Sequence, residues 1–130
     1  RHDARPISVA FGAPNGWRPL IWRVQLDAET IGWVFEEEVI GKSELITYAL
    51  TLDASGKVTS LEVLEYRESH GGEVRLAGWR NQFTGKTAAD AVALDRDIRN
   101  ISGATLSCRH LTEGVHRLLQ LYAHVLAAKP

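Results

Sequence analysis

Apolar residues recur at every second position from Leu20 to Arg67, and at every third or fourth position from Thr105 onward. The first spacing is that of extended strands with one buried face, and the second that of an amphipathic helix. Four strands are expected: Leu20 to Leu26, Thr30 to Ile40, Leu45 to Leu52 and Lys57 to Arg67. Ile31, Trp33, Phe35 and Val39 share one face of the second of these. Asp27-Ala28-Glu29, Gly41-Lys42 and Asp53-Ala54-Ser55-Gly56 read as the turns between them, with Gly56 available for positive φ. From about Thr105 to Ala127 the chain reads as one helix, on which Leu111, Val115, Leu118, Tyr122 and Val125 line one side. Strands followed by helices define an α+β fold, an antiparallel sheet packed against helices. The last strand carries Val58, Leu64 and Tyr66 on one face and Leu61 and Val63 on the other, so the sheet is expected to be covered in part on both sides.

The chain has 130 residues, which suits one compact domain and one core. Residues 1–18 contain Pro6, Gly12, Pro14 and Gly16 and read as an irregular N-terminal arm, leaving residues 19–130 as the domain. The pattern breaks at Glu68-Ser69-His70-Gly71-Gly72. Glu73 to Phe83 then reads as a short helix with Val74, Leu76, Ala77 and Trp79 as contacts, ended by Thr84-Gly85-Lys86. Ala88 to Leu94 fits a short helix or an extended segment.

Fifteen basic against sixteen acidic residues give a net charge of -1, which argues against a nucleic-acid partner. Cys108 is the only cysteine, so no intrachain disulfide forms. No apolar run is long enough to cross a bilayer. The chain begins at Arg1-His2-Asp3 without an initiator Met, so a removed targeting or anchoring segment stays open.

Ser102-Gly103-Ala104-Thr105 is a small-residue turn that opens directly into the long helix. It has two readings. One is an ordinary helix start with Ser102 or Thr105 as N-cap. The other is an anion cradle, because a helix N-terminus offers unpaired N–H groups and partial positive charge, and small residues let a phosphate approach. A phosphodiester keeps about one negative charge, which an exposed helix end favours by roughly 0.3–1 kcal/mol. Arg99, Arg109 and Arg117 lie near in sequence.

Other features point less sharply. Trp17, Trp22, Trp33 and Trp79 are core or edge packing, or the walls of a flat ligand. Trp79 is the one singled out for a ligand. Glu36-Glu37-Glu38 has no partner spaced to complete a metal site. Alternation sets Glu37 on the face of Phe35, where it meets a ligand edge, the sheet rim or solvent at a strand end. Cys108 and His110 are two apart on a helix and point in different directions, a poor ligand pair.

Ile101-Ser102-Gly103-Ala104-Thr105-Leu106-Ser107 resembles the signature of the FMN-binding domain family. That family includes periplasmic subunits of sodium-pumping quinone reductases and of related ferredoxin-oxidising complexes. Glu68-Ser69-His70-Gly71-Gly72 resembles the family's Glu-Thr-Pro-Gly loop, and Trp79 with Phe83-Thr84-Gly85-Lys86 resembles the segment that follows. The resemblance runs from about Val24 to Leu126. Two positions depart from it. Arg99 stands where the family has an acid three places before the Ser/Thr, and His70 stands in place of proline.

The resemblance implies FMN as cofactor, esterified through its phosphate to Thr105 by a flavin transferase, with Ser107 the nearest competing hydroxyl. Ser102, Gly103 and Ala104 would complete the phosphate turn. Glu68, Ser69, His70, Gly71 and Trp79 would lie along the flavin ring. It further implies an electron carrier rather than an enzyme, serving membrane-associated redox proteins in the periplasm or at the outer face of a bacterial inner membrane, with no metal. Two alternatives stay open: a flavin-dependent reductase, and a flavin-free binding module that keeps the fold.

Overall fold

The structure is a computed structural model that describes residues 2–7, 19–69 and 72–127. Five strands form one antiparallel meander in the order β1-β2-β3-β4-β5. They are β1 (His2–Ile7), β2 (Leu20–Leu26), β3 (Glu29–Ile40), β4 (Leu45–Asp53) and β5 (Val58–Tyr66). The expected α+β architecture is present. The N-terminal arm needs a correction: within residues 1–18, read as irregular, His2–Ile7 is a strand paired with β2. Residues 8–18, including Trp17, lie outside the described residues.

The β2–β3 turn is only two residues long. Asp27 and Ala28 both have positive φ, 50° and 71°, the tight hairpin that matches strand twist. Gly56 turns β4 into β5 at φ 89°. Trp33, Phe35, Glu37 and Val39 of β3 and Ile46, Tyr48, Leu50 and Leu52 of β4 are buried on one face of the sheet.

Two register shifts interrupt the β4–β5 ladder, between Thr47 and Tyr48 and between Thr51 and Leu52. Each breaks strict alternation. Val58 and Leu61 are therefore both buried although three apart, while Leu64 is 53% exposed. The grouping of Leu64 with Val58 expected from period two does not hold.

Helix α2 (Thr105–Leu121) lies across the buried sheet face and buries Cys108, Leu111, Val115, Leu118 and Leu119. Its last stretch is a π-helical turn, Tyr122–Leu126. Gly114 brings α2 close to the sheet, because a Cβ there would press on the Tyr48 hydroxyl and stand 3.0 Å from Glu37 Oε2. Tyr48 donates a hydrogen bond to Glu37 beneath this glycine. Burial, and then the charge of Glu37, push the Tyr48 phenol well above its ordinary range. Glu37 is thus a buried polar partner of the core, not a solvated strand end.

The segment read as one short helix is broken in three. Gly72–Arg75 is a 3-10 turn, α1 spans only Ala77–Arg80, and Asn81–Phe83 is 3-10 again. Gly85 then pairs with the start of β5, donating to the Val58 carbonyl at 2.8 Å. The following loop is neither helix nor strand. Asp97 ties it together by accepting from the amides of Val92 (3.0 Å) and Ala93 (2.9 Å), with Lys86 3.5 Å away. Burial opposes the charge on Asp97, but those amides and Lys86 outweigh it and hold its carboxyl below the ordinary value.

Candidate functional site

The chain enters α2 through a tight turn. The Ala104 amide donates to the Ile101 carbonyl at 2.9 Å, and Gly103, third in that turn, has φ 86°. Positive φ at this place suits glycine. Among the described residues, nothing beyond its own chain neighbours lies within 4 Å of where a Gly103 Cβ would stand, so the turn faces open space. The first helical bond runs from Cys108 N to Ala104 O at 2.9 Å. The amides of Thr105, Leu106 and Ser107 precede it and have no acceptor within the helix. The N-cap residue is Ala104, and no side chain among the described residues caps the end. The ordinary-cap reading of Ser102 or Thr105 is therefore overturned, and Ser102 is exposed.

A cleft of about 410 Å³ opens at this mouth, lined by Lys42, Glu68, Gly103, Ala104, Thr105, Leu106 and Ser107. Its donors suit a phosphate: uncapped amides, the Thr105 hydroxyl and a lysine on the rim. A second cleft of about 420 Å³ shares Glu68 and adds Tyr66, Ser69, Gly72, Glu73, Arg75 and Leu76. A third of about 350 Å³ shares Glu73 and Leu76 and reaches Trp79, Gln82, Arg99, Asn100 and Ile101. Each is within the size range of cofactor sites, and the shared residues join them around one corner of the domain. A larger cleft of about 510 Å³, between α2 and residues 91–95, contains none of the motif residues.

The expected site residues divide by role. Glu68 does not point free into the cleft. One carboxylate oxygen accepts the amides of Lys42 (3.0 Å), Ser43 and Glu44, so Glu68 fastens the β3–β4 turn to the end of β5. The amides of Ser43 and Glu44 hold its carboxyl below the ordinary value of 4.5. Ser69 is exposed beside it, and His70 and Gly71 lie outside the described residues. Trp79 is only 6% exposed. Its ring stacks edge-on against Phe83, with centroids 5.2 Å apart, and its Nε1 donates to the Arg99 carbonyl at 2.7 Å. Gln82 accepts the Arg99 amide at 2.7 Å. Trp79 and Gln82 together hold the stretch of chain that leads into the turn.

Sequence reasoning missed several contacts here. Asn100 Nδ2 donates to Thr105 Oγ1 at 3.0 Å. His110 Nδ1 donates to the carbonyls of Ile40 (2.6 Å) and Gly41 (3.0 Å), pinning α2 to the end of β3. Ser107 and Tyr66 hydroxyls meet at 3.3 Å. Arg75 lies over the Tyr66 ring at 5.4 Å. Asn100 was not singled out, although its place two residues before the turn was a signal. Cys108 is fully buried, and that burial raises its thiol pKa. Among the described residues no group of His, Cys, Asp and Glu is placed to hold a metal. No helix among them is long and apolar enough to cross a membrane.

The described residues form a β-meander topped by one long helix, with clefts joined around the mouth of that helix. The sequence pattern of the FMN-binding domain matches residues 41–120, and the chain belongs to that family. FMN is its cofactor. The chain is 26% identical over 83 aligned positions to a subunit of the Na(+)-translocating ferredoxin:NAD(+) oxidoreductase complex of Acetobacterium woodii, covering 57% of this chain and 40% of that protein. It is 25% identical over 141 aligned positions to a subunit of the ion-translocating oxidoreductase complex of Stutzerimonas stutzeri, covering 98% of this chain and 62% of that protein. The chain thus spans less than two thirds of the length of either relative.

Proposed function

We propose that this chain is an electron-transfer domain whose FMN is esterified through its phosphate to Thr105. The observation that carries the reading is the mouth of α2, where Thr105 lies on an open cleft beside amides that no side chain among the described residues caps. Ser102, Gly103 and Ala104 form the turn that leaves room for the phosphate. Glu68 and Ser69 border the ring, and Trp79 supports the wall behind it. FMN supplies the redox chemistry when bound; the chain's residues position it and tune its surroundings. The helix end and Lys42 offset the phosphodiester charge.

In this reading a flavin transferase installs the cofactor, and membrane-associated redox proteins exchange electrons with it. The two relatives, named as subunits of ion-translocating complexes, support that setting. The periplasm, or the outer face of a bacterial inner membrane, is its location. The test is intact mass after co-expression with a flavin transferase. One added FMN phosphodiester is expected, absent in Thr105→Ala and kept in Ser107→Ala. An adduct that survives Thr105→Ala refutes the site. The loaded domain should exchange electrons with reduced partner proteins and show no sustained NAD(P)H turnover of its own.

A further inference from the structure

Asn100 donates a side-chain hydrogen bond to the proposed attachment atom, and no feature of the motif requires it. Its Nδ2 donates to Thr105 Oγ1 at 3.0 Å, while its Oδ1 is sealed from solvent and has no partner among the described residues. Rotating the amide by half a turn would seal in two unpaired N–H bonds in place of one unpaired carbonyl oxygen. Orphaned N–H groups are the rarer and costlier case. The donor therefore faces the threonine. Its backbone is also fixed from behind, because the adjoining Arg99 amide and carbonyl are held by Gln82 and Trp79 at 2.7 Å each.

We propose that Asn100 is a positioning residue for flavin attachment, one that holds Thr105 Oγ1 through the oxygen's acceptor side in both the free and the esterified protein. This rests on the reading of Thr105 as the attachment site. A donor on Oγ1 occupies one lone pair and leaves the O–H hydrogen free to point into the cleft. In the transfer, Thr105 Oγ1 forms a bond to the FMN phosphorus of a flavin phosphoanhydride, flavin adenine dinucleotide. The anhydride P–O bond breaks, and its electron pair leaves with AMP. The hydroxyl proton passes to a base on the transferase. The product oxygen carries no hydrogen and can only accept, so the Asn100 N–H remains matched to it. A carboxylate at the same place would take the hydroxyl hydrogen, and then face an ester oxygen and a phosphodiester with no proton to offer.

The experiment measures transfer kinetics on the 130-residue chain with purified flavin transferase and flavin adenine dinucleotide, read by intact mass. Asn100→Asp and Asn100→Leu are each expected to lower kcat about tenfold with KM for the domain unchanged, since misplacement of a reacting atom acts on the chemical step. Asn100→Asp should recover as pH is lowered and its carboxyl regains a donor hydrogen, whereas Asn100→Leu should show no such recovery. Two variants of different polarity keep the test alive if one fails to fold. Unchanged kcat in a folded variant, a loss confined to KM, or an Asn100→Asp rate that does not rise towards low pH relative to the original chain overturns the inference and leaves Thr105 standing. Absence of any adduct on the unsubstituted chain overturns both.

Discussion

Gly114→Ala should destabilise this domain, although the same change inside an exposed helix stabilises it by roughly 1 kcal/mol. Gly114 is a point of close approach between α2 and the sheet. The added methyl would press on the Tyr48 hydroxyl and lie 3.0 Å from Glu37 Oε2 and 3.1 Å from Val39 Cγ1. Tyr48 is 0% exposed, so its ring has nowhere to retreat. Overpacking of this kind costs about 1–3 kcal/mol. Pushing the phenol aside also strains its hydrogen bond to Glu37, worth about 1.5–3 kcal/mol for a charged acceptor. Set against the helical gain of roughly 1 kcal/mol, the net loss is about 1.5–5 kcal/mol. Urea denaturation measures it directly. The decisive control is the double-substitution cycle with Tyr48→Phe, which removes the atom that the methyl meets. In that background Gly114→Ala should be close to neutral, so the coupling equals that net loss of about 1.5–5 kcal/mol. An equal cost in both backgrounds would refute the argument that the phenol sets the depth of α2.

Glu68→Gln should weaken the domain at neutral pH but not in acid. The native carboxyl titrates below its ordinary 4.5, so its contribution is whole above that value and fades as pH falls through the native one. Thermal denaturation should therefore show a gap between the two proteins at pH 7 that closes as the pH falls below 4.5 and through the native value, and a gap independent of pH counts against the clamp. Trp79→Phe keeps most of the ring packing but leaves the Arg99 carbonyl without its indole donor. The expected cost is about 1–3 kcal/mol in urea, together with slower flavin attachment at an intact Thr105; unaltered attachment would remove Trp79 from the support of the turn.

The strands were legible because a sheet with one buried face writes its period into the sequence. Trp33, Phe35 and Val39 show it, and they are buried together. The β4–β5 shifts were not legible, since a bulge is a property of two strands and leaves no mark in either alone. Leu64 was misassigned for that reason. The Glu73–Phe83 stretch has helical apolar spacing, but Leu76 is extended at ψ 139° and divides it. Glu37 shows a different limit. Alternation put it on the inner face correctly, yet its partner Tyr48 comes from the neighbouring strand, and no spacing rule names such a pair. At the site, the Ser-Gly-Ala-Thr turn was readable because glycine and helix start are local signals. Glu68 and Trp79 were readable as positions but not as roles, because their hydrogen bonds reach 24 to 26 and 20 residues along the chain.

Sheet register is what joins those distant residues. Ile46 faces Tyr66, and the antiparallel count carried two steps further sets Glu44 opposite Glu68. The amide of Glu44 does donate to the Glu68 carboxylate, beside those of Lys42 and Ser43. The same register turns Tyr66 inward, where its hydroxyl meets Ser107 in the first turn of α2 at 3.3 Å. His110, one turn further along, grips the carbonyls at the end of β3. A slip of one residue would swing Tyr66 to the outer face and carry Glu68 away from the turn amides. The mouth of α2 would then lose two of the contacts that locate it over the cleft. The phosphate turn is a local motif, but its position against Lys42 and Glu68 is a consequence of how the ends of β3, β4 and β5 are paired.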